Sequence, residues 1–195
     1  MFTSAFVFLL LVVAMAKAQP TATAEPQKVI TVTNGELEGQ WGPLERCPPG
    51  SRAVSFRTRN ELATPLFDDT ALNTIVLYCN DELATNFTST PGFSGDFLQI
   101  VTCPFGGYLT KFILRVSPSS GSSSSSDKTA ANDIRFMCSN GYEINGPGNT
   151  GGDWGQESGE CLDGICGMET RVQPFDGGLG HYDNTALNDV RFTCC

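Results

Sequence analysis

Beyond residue 28 the apolar positions fall in short runs with a period of two, separated by clusters of Gly, Pro, Asn, Asp and Ser. Such alternation predicts strands that are dry on one face, whereas a helix would need a sustained 3.6-residue period that the chain does not keep. Strands are expected at 29–33, ended by the Asn34-Gly35 turn, at 53–59, and at 75–79. In the second of these, Val54, Phe56 and Thr58 alternate with Ser55, Arg57 and Arg59. Pro43 marks the segment from Trp41 to Leu44 as an edge or irregular strand, because proline donates nothing to a ladder. The same grammar returns at 83–88, 97–101, 109–116 and 134–138. It returns once more at 142–145, around Trp154, at 168–173 and at 190–194. The pattern predicts twelve short strands in three groups of four.

The grouping has a marker. A twelve-residue stretch is written three times, as DDTALNTIVLYC at 68–79, DKTAANDIRFMC at 127–138 and DNTALNDVRFTC at 183–194. The copies begin 59 and then 56 residues apart, a spacing long enough for one supersecondary unit per repeat, which divides 28–195 into units at 28–80, 81–139 and 140–195. A catalytic group is needed once per site, whereas a packing solution is reused in every copy. The shared Asp68, Asp127 and Asp183, Thr70, Thr129 and Thr185, and Asn73, Asn132 and Asn188 are therefore expected to hold turns where a loop re-enters a sheet. Each unit also places one bulky aromatic shortly before its early cysteine: Trp41, Phe97 and Trp154. The expectation is a core wedge repeated three times, with a sugar-stacking platform as the alternative.

Composition adds the compartment. Residues 1–18 have an apolar run from Phe6 to Val13 and small residues at Ala16 and Ala18, the pattern of a cleaved export signal. Residues 19–27 read as a flexible leader, and 28–195 as a single domain. No later stretch has the length of a membrane helix, so no membrane anchor is expected. A net charge of -9 argues against nucleic acid or anionic lipid as a partner. In an exported chain the eight cysteines are read as disulfides. The repeat pairs Cys47 with Cys79 and Cys103 with Cys138, and leaves Cys161 and Cys166 to pair with Cys194 and Cys195 in either order. A zinc site of those last four is the competing reading, against which the export signal and the matched pairs weigh. The serine run at 117–127 is a surface insertion, and Asn86-Phe87-Thr88 is the single N-glycosylation pattern.

Candidate chemistry is sparse. The acidic pairs Asp68/Asp69, Asp81/Glu82 and Glu157/Glu160 lie near loops, and nothing in the sequence selects one as a glycosidase pair. His181 stands alone in a loop without a nucleophile motif. No cofactor is implied.

The three D-x-T-A-x-N stretches, the Trp-Gly pairs at Trp41 and Trp154, the CPPG run from Cys47 and the terminal Cys194-Cys195 resemble the vitelline membrane outer layer protein 1 family. The resemblance implies a β-prism of three four-stranded Greek-key sheets with pseudo-threefold symmetry, closed by four disulfides. It also implies secretion, with other coat proteins or glycans as partners. Phe97 departs from it, standing where the family tends to have Trp, and the serine run lengthens a loop. The function expected is a structural component of an extracellular coat with weak carbohydrate contact. The alternatives are a binding module for N-acetylglucosamine-type oligosaccharides and a lysozyme-like transferase, an activity the resemblance also carries.

Overall fold

The computed structural model describes residues 27–61, 70–117, 130–174 and 185–195. The export signal, residues 19–26 of the leader, residues 118–127 of the serine run, Asp68, Asp69, Asp127, Thr129, Asp183 and His181 lie outside the described residues.

The first unit contributes β1 (Val29–Ile30), β2 (Gln40–Trp41), β3 (Glu45–Arg46), β4 (Ala53–Asn60) and β5 (Leu72–Cys79). The second contributes β6 (Asn86–Phe87), β7 (Asp96–Phe97), β8 (Val101–Thr102), β9 (Leu109–Val116) and β10 (Ala131–Cys138). The third contributes β11 (Glu143–Asn145), β12 (Asp153–Trp154), β13 (Ile165–Val172) and β14 (Leu187–Cys194). Each unit thus ends in a long antiparallel hairpin and begins with short edge strands. Where the sequence predicts one strand at 97–101, the edge breaks into β7 and β8. At Gly42-Pro43-Leu44 it breaks likewise into β2 and β3, the edge position at which proline is tolerated.

Units and sheets do not coincide. The β4–β5 hairpin of the first unit takes its edges from the second unit, in the order β6-β5-β4-β7 with β8 also on β4. The β9–β10 hairpin takes β11 and β12 from the third unit. The β13–β14 hairpin takes β1, β2 and β3 from the first, so the two ends of the chain close in one sheet. The result is a three-sided β-prism in which every unit completes its predecessor's sheet. The disulfides follow the same cycle. Cys47, beside β3, joins Cys79 at the end of β5, and Cys103, after β8, joins Cys138 at the end of β10. Cys161, beyond β12, joins Cys194 at the end of β14. Each bond staples the edge of one sheet to the hairpin of the next. Closing loops of 32 to 35 residues, each is worth on the order of 3–4 kcal/mol against the unfolded chain.

Strand alternation sends one register pair per hairpin to the axis: Phe56 with Leu77, Phe112 with Phe136, and Met168 with Phe192. All six are fully buried. Four of them form a continuous cluster of tilted and edge-to-face rings, with centroids 4.8 Å apart for Phe56–Phe136 and for Phe112–Phe192, and 5.4 Å apart for Phe136–Phe192. These residues are the core wedge. Trp41, Phe97 and Trp154 are not; they lie on the outer faces, half-buried at the two tryptophans and exposed at Phe97.

Candidate functional site

Each outer face repeats one arrangement. A glycine in the left-handed region precedes the edge aromatic: Gly39 before β2, Gly95 before β7 and Gly152 before β12. A Cβ at any of them would come within 2.1–2.3 Å of the hairpin backbone at Val172, Asn60 or Val116, so only glycine allows that approach. The aromatic then pairs across the ladder with an arginine: Trp41 with Arg171, Phe97 with Arg59, and Trp154 with Arg115. The Nε–H of each arginine donates to the glycine carbonyl, at 3.4 Å to Gly39, 2.8 Å to Gly95 and 3.1 Å to Gly152. A second arginine lies closer over the ring: Arg191 at 4.4 Å from the Trp41 centroid, Arg57 at 4.2 Å from Phe97 and Arg135 at 4.3 Å from Trp154. Each pairing of guanidinium and ring is worth about 0.5–1 kcal/mol where water reaches it.

The second arginine does not always come from the same strand. Arg191 and Arg135 are on the later strand of their hairpins, β14 and β10, while Arg57 is on the earlier strand, β4. In the register, Arg57 faces Val76, the position on β5 that corresponds to Arg135 and Arg191. Opposite residues of a ladder share one face, so the exchange keeps a guanidinium at the same place over the ring.

Behind the aromatic sits the repeated stretch. The ladders slip at Asn73, Asn132 and Asn188, each the extra residue of a β-bulge. The backbone reaches two of the bulges through left-handed Ala71 and Ala186, at φ 51° and 45°. The asparagine amides are buried and donate back to the carbonyls of Ala71, Ala130 and Ala186. Their own main-chain carbonyls accept from Gly92, Asn149 and Glu36, at the tips of the loops between edge strands. Thr70 and Thr185 are held by Glu61 and Gln173, which accept from both the N–H and the hydroxyl. The repeated stretch is the joint between hairpin and returning loop.

The residue after that asparagine is Asp133 in one copy and Asp189 in another, and these are the ionisable groups that the sequence reading missed. The signal was present as an aspartate shared by two copies out of three, with Thr74 in the third. Burial pushes both carboxyls up to about 6, against opposing backbone hydrogen bonds and flanking arginines. Asp133 accepts from the Ile134 N–H at 2.8 Å, and Asp189 from the Val190 N–H at 2.8 Å. A Cβ on Gly148 would lie 2.4 Å from the Asp133 Cγ, and one on Gly35 would lie 2.2 Å from that of Asp189, so loop backbone packs on both, leaving Asp133 buried and Asp189 half-buried.

Of the acidic pairs named from the sequence, Asp81, Glu157 and Glu160 have partners. Asp81 caps a turn by accepting from the Thr85 N–H and hydroxyl, which lowers its pKa. Glu157 and Glu160 flank Lys111 at 3.6 and 3.9 Å. Asn86 is exposed on β6. No group of three or more His, Cys, Asp and Glu among the described residues could hold a metal ion. Cys161 bonds Cys194, which leaves buried Cys166 and exposed Cys195 as thiols. Partial burial and then a hydrogen bond to Cys166 push the Cys195 thiol up to about 12. The fourth bridge expected from the sequence is not formed in this structure, although its two thiols are in contact.

A family model described as vitelline membrane outer layer protein I matches residues 28–195. A vitelline membrane outer layer protein 1 homolog of Mus musculus is 38% identical over 194 residues, covering 96% of this chain and 94% of that protein. The Homo sapiens homolog is 41% identical over 172 residues, covering 86% and 82%. Among solved structures, Calystegia sepium agglutinin superposes with a TM-score of 0.56 at 11% identity, over 87% of this chain and 97% of that one. A mannose-binding lectin from Champedak gives 0.52 at 11% identity, over 89% and 99%. At that identity the lectins share the fold alone.

Proposed function

The chain belongs to the vitelline membrane outer layer protein I family, and from that membership we propose that it is a secreted structural component of an extracellular coat, making weak contact with glycans through its outer faces. One observation carries the reading: three aromatic platforms, each bracketed by two arginines, stand on the three sides of a disulfide-closed prism. Three weak contacts pointing in three directions suit cross-linking within a layer, because linked sites raise avidity without any one of them being deep. The relatives are named for an outer membrane layer. A lectin of the same fold is described in complex with a bisected glycan, which supports this architecture as a glycan-facing scaffold.

A transferase would need two carboxyl groups facing one another across a cleft. Asp133 and Asp189 have the raised pKa of a general acid, but they lie in different sheets and loop glycines pack on each of them. The test pairs calorimetric titration of neutral N-acetylglucosamine oligomers with retention of the protein on a reconstituted glycoprotein layer. Retention without saturable heat is expected. Saturable binding of a free oligomer would move the protein to the binding modules, and release of shortened oligomers to the enzymes.

A further inference from the structure

The three faces differ in charge balance. On the β13–β14 face, Arg191 forks onto Glu169 at 2.8 and 2.7 Å, and Asp189 lies between Arg171 and Arg191 in its electrostatic surroundings. On the β9–β10 face, Arg135 pairs with Glu143 at 3.1 Å, and Asp133 feels Arg115 and Arg135. Each of these two faces thus carries one ion-paired arginine and an aspartate within the field of both guanidiniums. On the β4–β5 face the residue after the bulge is Thr74 in place of aspartate, and Arg57 faces Val76 across the ladder.

Among the described residues neither Arg57 nor Arg59 forms an ion pair. Arg59 spends its Nε–H on Gly95. The Nε of Arg57 is buried without a hydrogen-bond acceptor, as is that of Arg135, but Arg135 has the Glu143 carboxylate beside it and Arg57 has none among the described residues. The hydroxyl of Thr74, a residue 1% exposed, is unsatisfied as well. Asp96, the neighbour of Phe97 on β7, pairs with neither arginine. Phe97 itself is 49% exposed, with Arg57 at 4.2 Å and Arg59 at 5.7 Å from its centroid. The Tyr78 ring centroid lies 5.9 Å from the Arg57 guanidinium.

We propose that the β4–β5 face binds an acidic sugar residue, its carboxylate or sulfate on the Arg57–Arg59 pair and its ring against Phe97. Guanidinium forks suit planar or tetrahedral oxyanions, and an exposed aromatic offers an apolar surface to the C–H face of a pyranose. The net charge of -9 works against general adsorption of anions, so affinity has to come from this local pair. The glycan source rests on the coat reading above, whereas the anion site stands on the face itself.

The test titrates the full-length oxidised protein with a sulfated disaccharide, a sialylated trisaccharide, their neutral parents and inorganic sulfate, following the arginine Nε–H resonances by NMR. The acidic sugars should bind about tenfold or more tighter than the neutral parents, as expected for one charge-assisted contact. Arg57→Gln and Thr74→Asp, the latter restoring the aspartate of the other faces, should each remove that preference. Arg171→Gln on the β13–β14 face should leave it intact. Equal binding of acidic and neutral sugars, or equal loss in Arg57→Gln and Arg171→Gln, would overturn the site. Inorganic sulfate binding as tightly as the sulfated sugar would overturn the saccharide assignment. Retention on the coat layer without acidic preference would sink this inference alone, whereas acidic preference without retention would sink the coat reading alone.

Discussion

Replacing Asp133 by asparagine removes a charge that the fold penalises. Asp133 is 6% exposed as a residue, its carboxyl sits under the Gly146–Gly148 loop, and burial pushes its pKa from 3.8 to about 6. Because the folded state holds this proton to a higher pH than the unfolded chain does, the stability it confers is complete below about pH 4. It is lost as pH rises through about 6. At 1.36 kcal/mol per unit the shift corresponds to roughly 3 kcal/mol. Access of solvent to the neighbouring guanidiniums reduces the expected effect to about 1–2 kcal/mol. Asparagine keeps the oxygen that accepts from Ile134 and cannot ionise. Urea denaturation followed by far-UV circular dichroism should therefore find Asp133→Asn close to the parent at about pH 4 and about 1–2 kcal/mol more stable at about pH 7.5. Asp189→Asn should behave alike, and the two should add, because they lie in different sheets. A difference that stays flat across this range, or a variant less stable at neutral pH, would refute the claim that burial dominates these carboxyls.

Asn188→Ala removes the buried amide that meets Thr185 at 3.0 Å and Ala186 at 3.1 Å; a loss of about 2–3 kcal/mol in the same assay is expected. Exposed Asn86→Ala should cost less than about 0.5 kcal/mol. Gly152→Ala drives a Cβ to 2.1 Å from the Val116 carbonyl oxygen at a φ of 67°, so it should displace β12, shift the Trp154 emission and cost about 2 kcal/mol or more. Gly50→Ala, at a φ of 82° with open space around it, should cost only about 1 kcal/mol and leave the emission unchanged. The Cys166 and Cys195 thiols are in contact in an exported chain, and the secreted protein should carry them as a fourth disulfide. Thiol titration of the denatured, unreduced protein should find no free cysteine, and two thiols per chain would refute the bridge.

The sequence by itself determined that six hairpin strands exist, that Asn73, Asn132 and Asn188 mark the joint between loop and sheet, and which cysteines partner in the first two bridges. The strands that end the repeats begin three residues earlier than their alternation shows, because the asparagine is a bulge within the strand rather than a turn before it. Period-two alternation in β4 puts Phe56, Thr58 and Asn60 on one face and Arg57 and Arg59 on the other, whereas β9 is apolar on both faces and its alternation does not choose between them. A stretch repeated three times marks a joint rather than a site. The tertiary structure alone decided who completes whose sheet. Edge strands of two residues, such as β2 and β12, are too short to show a period, so their alternation could not say whether Trp41 and Trp154 point inward. Their direction is set by the glycine before each, packed on the neighbouring hairpin, and that contact joins residues as distant as Gly39 and Val172. The same holds for charge. Asp133 and Asp189 look like ordinary strand-start aspartates until a loop from the next unit closes over them, and the burial that shifts them belongs to that closure. The passage of an arginine from β10 and β14 to β4 is visible only when the ladder register is known, because two residues far apart in the chain then occupy one place over a ring.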